Sequence, residues 1–229
     1  MQVNKSVEVL NDDLEFFIAS NCFKSYLECV QKNEGCLIKL VLYNVKRSSD
    51  TFYSAVAEVT VQFKSGEIQS RNIFLRGKSV IVIPYFLGAS GLFFLLVEQN
   101  RISLGGTSLE FPAGGIDANE QDNAAAKREV YEETGISVDH ERLLLLGKDF
   151  FVCESAFTES ATWFGYEVSK KEINQIQNRE VPHEIDDEIV KTCLVQHEEV
   201  KNIKTFQIHC GLSLLHQTLP DVFTHRGVI

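Results

Sequence analysis

Two kinds of hydrophobic spacing alternate along the chain. Between Asp13 and Gln31, the apolar residues Leu14, Phe17, Ile18, Phe23, Leu27 and Val30 recur at helical intervals, with an interruption near Asn21. That spacing predicts a helical opening broken once. From Cys36 to Val97 the pattern changes to short β-branched and aromatic runs: Leu37 to Val45, Phe52 to Phe63, Ile68 to Leu75, Val80 to Phe86 and Leu92 to Gln99. Each predicts a strand, and Ser65-Gly66 and Gly88 to Gly91 supply turns between them. A second helix is expected from about Asp122 to Thr134, with Asp122 as its N-cap and Gly135 at the position of a C-terminal glycine. Strand-like runs return at Leu143 to Leu146, Ala161 to Val168 and Glu188 to Val195. Val200 to Leu219 reads as a closing helix that turns Ile203, Phe206, Leu212, Leu214 and Leu215 inward. The whole predicts an α/β chain with a mixed sheet, preceded by a β-rich N-terminal subdomain. The boundary is expected near Leu75 to Lys78, dividing the chain into 1–76 and 77–229.

Composition narrows the function. With 44% hydrophobic and 24% charged residues over 229 positions, the chain has enough apolar surface for a real core. Its formal net charge of −10 argues against a nucleic-acid surface, which needs a basic stripe. An anionic substrate would have to be met locally, by a few arginines, backbone amides or bound divalent cations. The longest apolar stretches are Val80 to Leu87, broken by Pro84, and Leu92 to Val97. Both are too short to span a membrane as a helix, so no membrane partner is expected. The N-terminus, with Asn4, Lys5, Asn11, Asp12 and Asp13, carries no secretory pattern, and a cytoplasmic location is the expectation. Cys22, Cys29, Cys36, Cys153, Cys193 and Cys210 are scattered, which predicts reduced, mostly buried thiols rather than a zinc site or disulfide framework. The six histidines show no metal-ligand spacing.

The informative chemistry lies between Lys127 and Gly135. Arg128, Glu129, Glu132 and Glu133 fall within one and a half turns, on a single broad helical face. Like charges three and four apart repel by about 0.2–0.5 kcal/mol per pair, near a helix end that already disfavours anions. A solvated acidic face is the ordinary reading of a Glu-rich helix. A hard divalent cation would relieve the repulsion by sharing the carboxylate oxygens, and magnesium is the usual ion where the substrate brings phosphates. Manganese is admissible in its place. Arg128 is placed to pair with Glu132 four residues on, Glu120 lies just upstream, and Gly114 and Gly115 let backbone approach a ligand closely.

These residues resemble the Nudix box: Gly, five residues, Glu, seven residues, then Arg-Glu-hydrophobe-any-Glu-Glu-any-Gly-hydrophobe. The chain supplies Gly114, Glu120, Arg128, Glu129, Val130, Glu132, Glu133, Gly135 and Ile136 at every spacing. The flanks, Val97-Glu98-Gln99-Asn100-Arg101 and Leu109 to Asp117, resemble the ADP-ribose and nucleotide-sugar pyrophosphatases. Arg76-Gly77 and the acidic stretch from Glu184 to Glu188 also resemble the ADP-sugar branch. One departure stands out: Val152 to Phe157 occupies the place of the Ser-Pro-Gly-like loop of many ADP-ribose hydrolases, which leaves ADP-ribose, ADP-glucose and UDP-glucose all open.

The resemblance implies a Nudix α/β/α sandwich and magnesium-dependent attack of water on the pyrophosphate of a nucleoside diphosphate sugar, giving a nucleoside monophosphate and a sugar phosphate. It implies Glu129 and Glu133 as principal metal ligands, Glu132 assisting, the Ala113 carbonyl contributing and Arg128 orienting the carboxylates. Arg101 and Glu110, with Arg76, Gly114 and Gly115, fall at substrate-contacting positions. The general base would come from an acidic loop, where Glu184, Asp186, Asp187 and Glu188 are equivalent candidates. Trp163 is expected in the core. A homodimer built on the segment from Cys36 to Leu75 is expected, because strand edges there invite a symmetric partner. A broader nucleotide-sugar hydrolase and a non-catalytic nucleotide-sensing protein are the alternatives.

Overall fold

A computed structural model describes residues 7–9, 14–47, 52–176, 180–182 and 189–224. The chain divides into two compact units, each holding its own sheet. One comprises Met1–Lys78, Asp117–Asn119 and Asp149–Ala161, the other Ser79–Ile116, Glu120–Lys148 and Thr162–Ile229.

The first unit opens with strand β1 (Val7–Val9), helices α1 (Leu14–Ala19) and α2 (Asn21–Lys32), and strands β2 (Cys36–Arg47), β3 (Phe52–Gln62) and β4 (Ile68–Arg76). The helical opening is broken at Ser20, whose hydroxyl accepts the Phe23 N–H at 3.2 Å and so caps α2. The strands lie in the order β1-β2-β3-β4, with β1 parallel to β2 and the rest an antiparallel meander. Phe17, Cys22 and Phe23 pack on Leu40, Leu42, Ala55, Ala57 and Leu75 to form the core of this unit. At β4 the later segment of the unit adds backbone pairing: the Phe74 N–H donates to the Ala156 carbonyl at 2.7 Å, and the Thr158 N–H to the Phe74 carbonyl at 3.1 Å. Ile68 to Asn72 are exposed.

The chain continues with β5 (Ser79–Gly88), β6 (Gly91–Arg101), β7 (Gly106–Glu110), β8 (Ala113–Gly115), α3 (Asp122–Thr134), β9 (Leu144–Phe151, in the second unit up to Lys148), β10 (Ser160–Glu167, in the second unit from Thr162), α4 (Lys170–Ile176), β11 (Glu180–Pro182), β12 (Ile189–Gln196), α5 (His197–Val200), α6 (Phe206–Thr218) and α7 (Pro220–Thr224), which make up the second unit. Its mixed sheet runs β11-β12-β6-β5-β10-β9, with β7 on β6 and β8 on β5. Pro84 sits in β5 between the stretch paired with β8 (Ser79 to Ile81) and the stretch paired with β6 (Tyr85 to Gly88), where the ladder changes partner. One sheet face takes α3: Ala125, Ala126 and Val130 pack with Val80, Val82, Phe164 and Tyr166. The neighbouring residues Ile83 and Gly165 point the other way and meet α6 at Gly211 and Leu215. Helices on both faces of a mixed sheet make the expected α/β/α sandwich.

Three local expectations are corrected. Gln121, not Asp122, is the N-cap of α3, and no side chain caps it. The Asp122 carboxylate instead accepts from Lys148 Nζ at 3.0 Å and Thr162 Oγ1 at 3.1 Å, which draws it away from the helix amides. The closing helix is interrupted after α5 and restarts at the Thr205 cap, which accepts from the Ile208 N–H; this leaves Phe206, the first residue of α6, 71% exposed rather than in the core. All six cysteines are free as expected, but only Cys22 is buried; Cys36 is exposed and the others are half-buried. Trp163 is buried, as expected.

A methyl group at Gly211 would stand 2.7 Å from Cε2 of Phe111 and 3.1 Å from Cδ1 of Ile83, both fully buried. Gly211→Ala should therefore lower unfolding free energy by about 1–3 kcal/mol despite the better helix propensity of alanine, a loss read by urea denaturation.

Candidate active site

The site is assembled by the contact between β8 and the inner face of α3. The pairing of β8 with Ser79 to Ile81 of β5 carries Gly114 directly over the helix. A Cβ at Gly114 would lie 2.1 Å from the Glu129 carboxylate, so only glycine lets the strand and the acid come together. Next to it, the Gly115 carbonyl accepts from Arg128 Nη2 at 2.8 Å, which ties loop to helix.

Arg128 is the centre of the charged network. Its Nε and Nη2 donate to the two oxygens of Glu120 at 3.0 and 2.8 Å, and Nη1 donates to Glu129 at 2.6 Å and Glu132 at 3.1 Å. The Glu120 hydrogen bond, opposed by burial and helped by the charge of Glu129, raises the guanidinium pKa above its usual value. The expected Arg128–Glu132 pair is present, and the same arginine binds two further carboxylates. Its fork therefore orients acids and is fully engaged by protein.

Glu133 has different surroundings. It is 1% exposed, with Gln99 Nε2 donating to Oε1 at 2.8 Å and the Ala113 N–H to Oε2 at 3.2 Å. Burial, reinforced by the charge of Glu129, pushes its pKa up to about 8 against the pull of those two donors and of Arg101. Glu129 is nearly as deep, at 4% exposure, whereas Glu132 is half-exposed.

Among the described residues, no three His, Cys, Asp or Glu side chains converge as a ready-made metal cluster. The reason is visible in the partners: Arg128 stands among Glu120, Glu129 and Glu132, while Glu133 is turned to Gln99 and Ala113. The residues nevertheless fit a hard divalent cation. Three carboxylates share one guanidinium, the buried Glu133 lies on the same helix as two of them, Glu129 is buried as well, and the donors are oxygens.

Arg101 and Glu110 form a bidentate pair at 2.9 and 2.7 Å where β6 and β7 run side by side. Burial works to raise the Glu110 pKa, but the Arg101 hydrogen bond and charge, with help from Ser108, lower it overall. Arg76 belongs to the first unit, where it pairs with Glu159 at 3.6 Å. Glu184, Asp186, Asp187 and Glu188 lie outside the described residues. Gln99 went unassigned in the sequence. Its signal was a polar residue two positions beyond buried Val97, on the strand face that meets α3.

The NUDIX domain family matches residues 75–210. The chain belongs to the Nudix family. Its resemblance to individual relatives is more distant. It is 26% identical over 222 residues to Nudix hydrolase 14, chloroplastic, of Arabidopsis thaliana, covering 86% of this chain and 70% of that protein. A crystallised ADP compounds hydrolase has the same fold, with a TM-score of 0.56 at 18% identity, over 81% of this chain and 96% of that one. Family membership and the intact box support hydrolysis as the activity.

Because folding raises the Glu133 pKa, the folded protein holds a proton that the unfolded chain has lost between about 4.5 and about 8. The stability tied to that proton is fully present below the lower value and is lost as pH rises through the upper one. Calorimetry in EDTA should show the parent losing stability relative to Glu133→Gln across this window, with the difference largest at the alkaline end. Parallel curves for the two proteins would contradict a raised pKa at Glu133.

Proposed function

We propose that this protein is a magnesium-dependent hydrolase of the pyrophosphate bond in nucleoside diphosphate sugars, with ADP-sugars preferred. The observation that carries the reading is the pair of buried carboxylates one helical turn apart, Glu129 under Gly114 and held by Arg128, and Glu133 under Ala113. The ADP moiety is favoured by the sequence flanks and by the substrate named for the crystallised neighbour.

Glu129 and Glu133 would hold magnesium or manganese, with Glu132 assisting and the Ala113 carbonyl as a further oxygen. Bound divalent ions supply charge neutralisation of the diphosphate and a lowered water pKa. The residues of the chain do the rest. Arg128 keeps Glu129 and Glu132 in register, and Gly114 and Gly115 let backbone come close to the phosphates. Arg101 and Glu110 contact substrate from the β6–β7 face, and Arg76 is assigned a substrate contact as well. Water oxygen forms the new bond to one phosphorus and the bridging oxygen leaves with the other phosphate. The proton passes to a carboxylate of the acidic run, for which Glu184, Asp186, Asp187 and Glu188 are the candidates. A homodimer is part of the proposal, since Ile68 to Asn72 of β4 present exposed residues on the last strand of the first unit's sheet.

A panel of ADP- and UDP-linked sugars with magnesium, read by chromatography of the products, should show the nucleoside monophosphate and sugar phosphate from ADP-sugars and none in EDTA. Gly114→Ala and Glu129→Gln should each lower kcat by about 100-fold or more, beyond the 10–100-fold typical of outer-shell changes. Preference for UDP-sugars would correct the substrate, and tight binding without turnover would replace the enzyme by a nucleotide sensor.

Light scattering at micromolar concentration should give twice the chain mass of 25.9 kDa. A fully active species at the single-chain mass would remove the dimer from the proposal.

A further inference from the structure

The carboxylate of Glu133 is attached through a soft sp3–sp2 torsion, so packing of its methylenes does not set the plane of its oxygens. Hydrogen bonds must do that, and at 1% exposure water does not supply them. Two donors meet it, one per oxygen: the Ala113 N–H on Oε2 and Gln99 Nε2 on Oε1. Both come from rigid places. Ala113 is held in the β8–β5 ladder opposite Ile81, and Gln99, itself 6% exposed, lies in β6 opposite Ser108. A carboxylate has about four acceptor sites. The two donors occupy one on each oxygen and leave one on each for a cation.

We propose that Gln99 is a positioning residue for metal binding: its side-chain amide, acting with the Ala113 N–H, fixes the plane of the Glu133 carboxylate so that the remaining lone pairs face the place a divalent ion would take. The inference rests on the functional reading above for the role of Glu133. Gln99 acts only through that side chain and touches no substrate.

The test uses Mn2+ alone as probe, with binding measured by the electron paramagnetic resonance of free Mn2+ in titrations of the full-length protein. Gln99→Met keeps the length and removes the donor. It should weaken Mn2+ binding by about 10- to 100-fold, the range of other outer-shell losses. Gln99→Asn, which keeps an amide but withdraws it by one methylene, should also weaken binding and stands in if the methionine variant does not fold. In a Glu133→Gln background, the same changes at residue 99 should alter Mn2+ affinity by less than about twofold, since the group they act on is gone. With an active parent, kcat should fall while KM for the nucleotide sugar stays level at saturating magnesium. Parent-like Mn2+ affinity in both variants, or an equal loss in both backgrounds, would overturn the inference. A parent that binds Mn2+ but hydrolyses no panel compound would overturn the functional reading while the Mn2+ titrations still judge Gln99.

Discussion

Everything at this site depends on the burial of two carboxylates on one helix against the sheet that carries the loop. Glu129 and Glu133 point toward β8 rather than solvent, and their charges are taken into surroundings where an unpaired anion is costly. The two acids meet that cost differently. Glu129 is paired with a guanidinium, and Glu133 is left with neutral donors and a carboxyl pKa well above its usual range.

That division explains the surrounding residues. Arg128 serves three acids at once, so removing its charge would leave Glu120, Glu129 and Glu132 to repel one another. Gly114 is needed because the acid it covers leaves no room for a side chain. Gln99 follows the apolar run of β6 that ends at Val97 and is buried where the strand passes Glu133. Gly114 in a strand and Gln99 buried in one both depart from ordinary strand composition, and both touch the carboxylates. Such breaches are expected at functional sites, where binding rather than folding selects the residue.

The rest of the second unit holds this arrangement still. Apolar residues of α3 alternate with its acids so that Ala125, Ala126 and Val130 fix the helix on the sheet. From the opposite face, α6 presses Gly211 against Phe111, the residue just before the Pro112 to Gly115 loop. The loop is thus positioned by packing on its far side as well as by the β8–β5 ladder, and its geometry does not depend on the loop sequence alone.

Period and spacing in the sequence were enough for the strands from β2 to β6, for α3 and for the Nudix box, because a strand or helix face buried against one layer must repeat its apolar residues at a fixed interval. They could also place Glu129, Glu132, Glu133 and Arg128 on one helical face, since that follows from helical geometry alone. What lay beyond reach depended on partners distant in the chain. Asp122 is turned from capping by Lys148 and Thr162, residues 26 and 40 positions away, and the short strands β7 and β8 exist through their pairing with β6 and β5. The Gln99 contact spans 34 residues and the Arg128–Glu120 bridge closes a turn no periodicity describes. Local preferences are written residue by residue, whereas a buried polar contact is decided by which groups the folded layers leave facing one another.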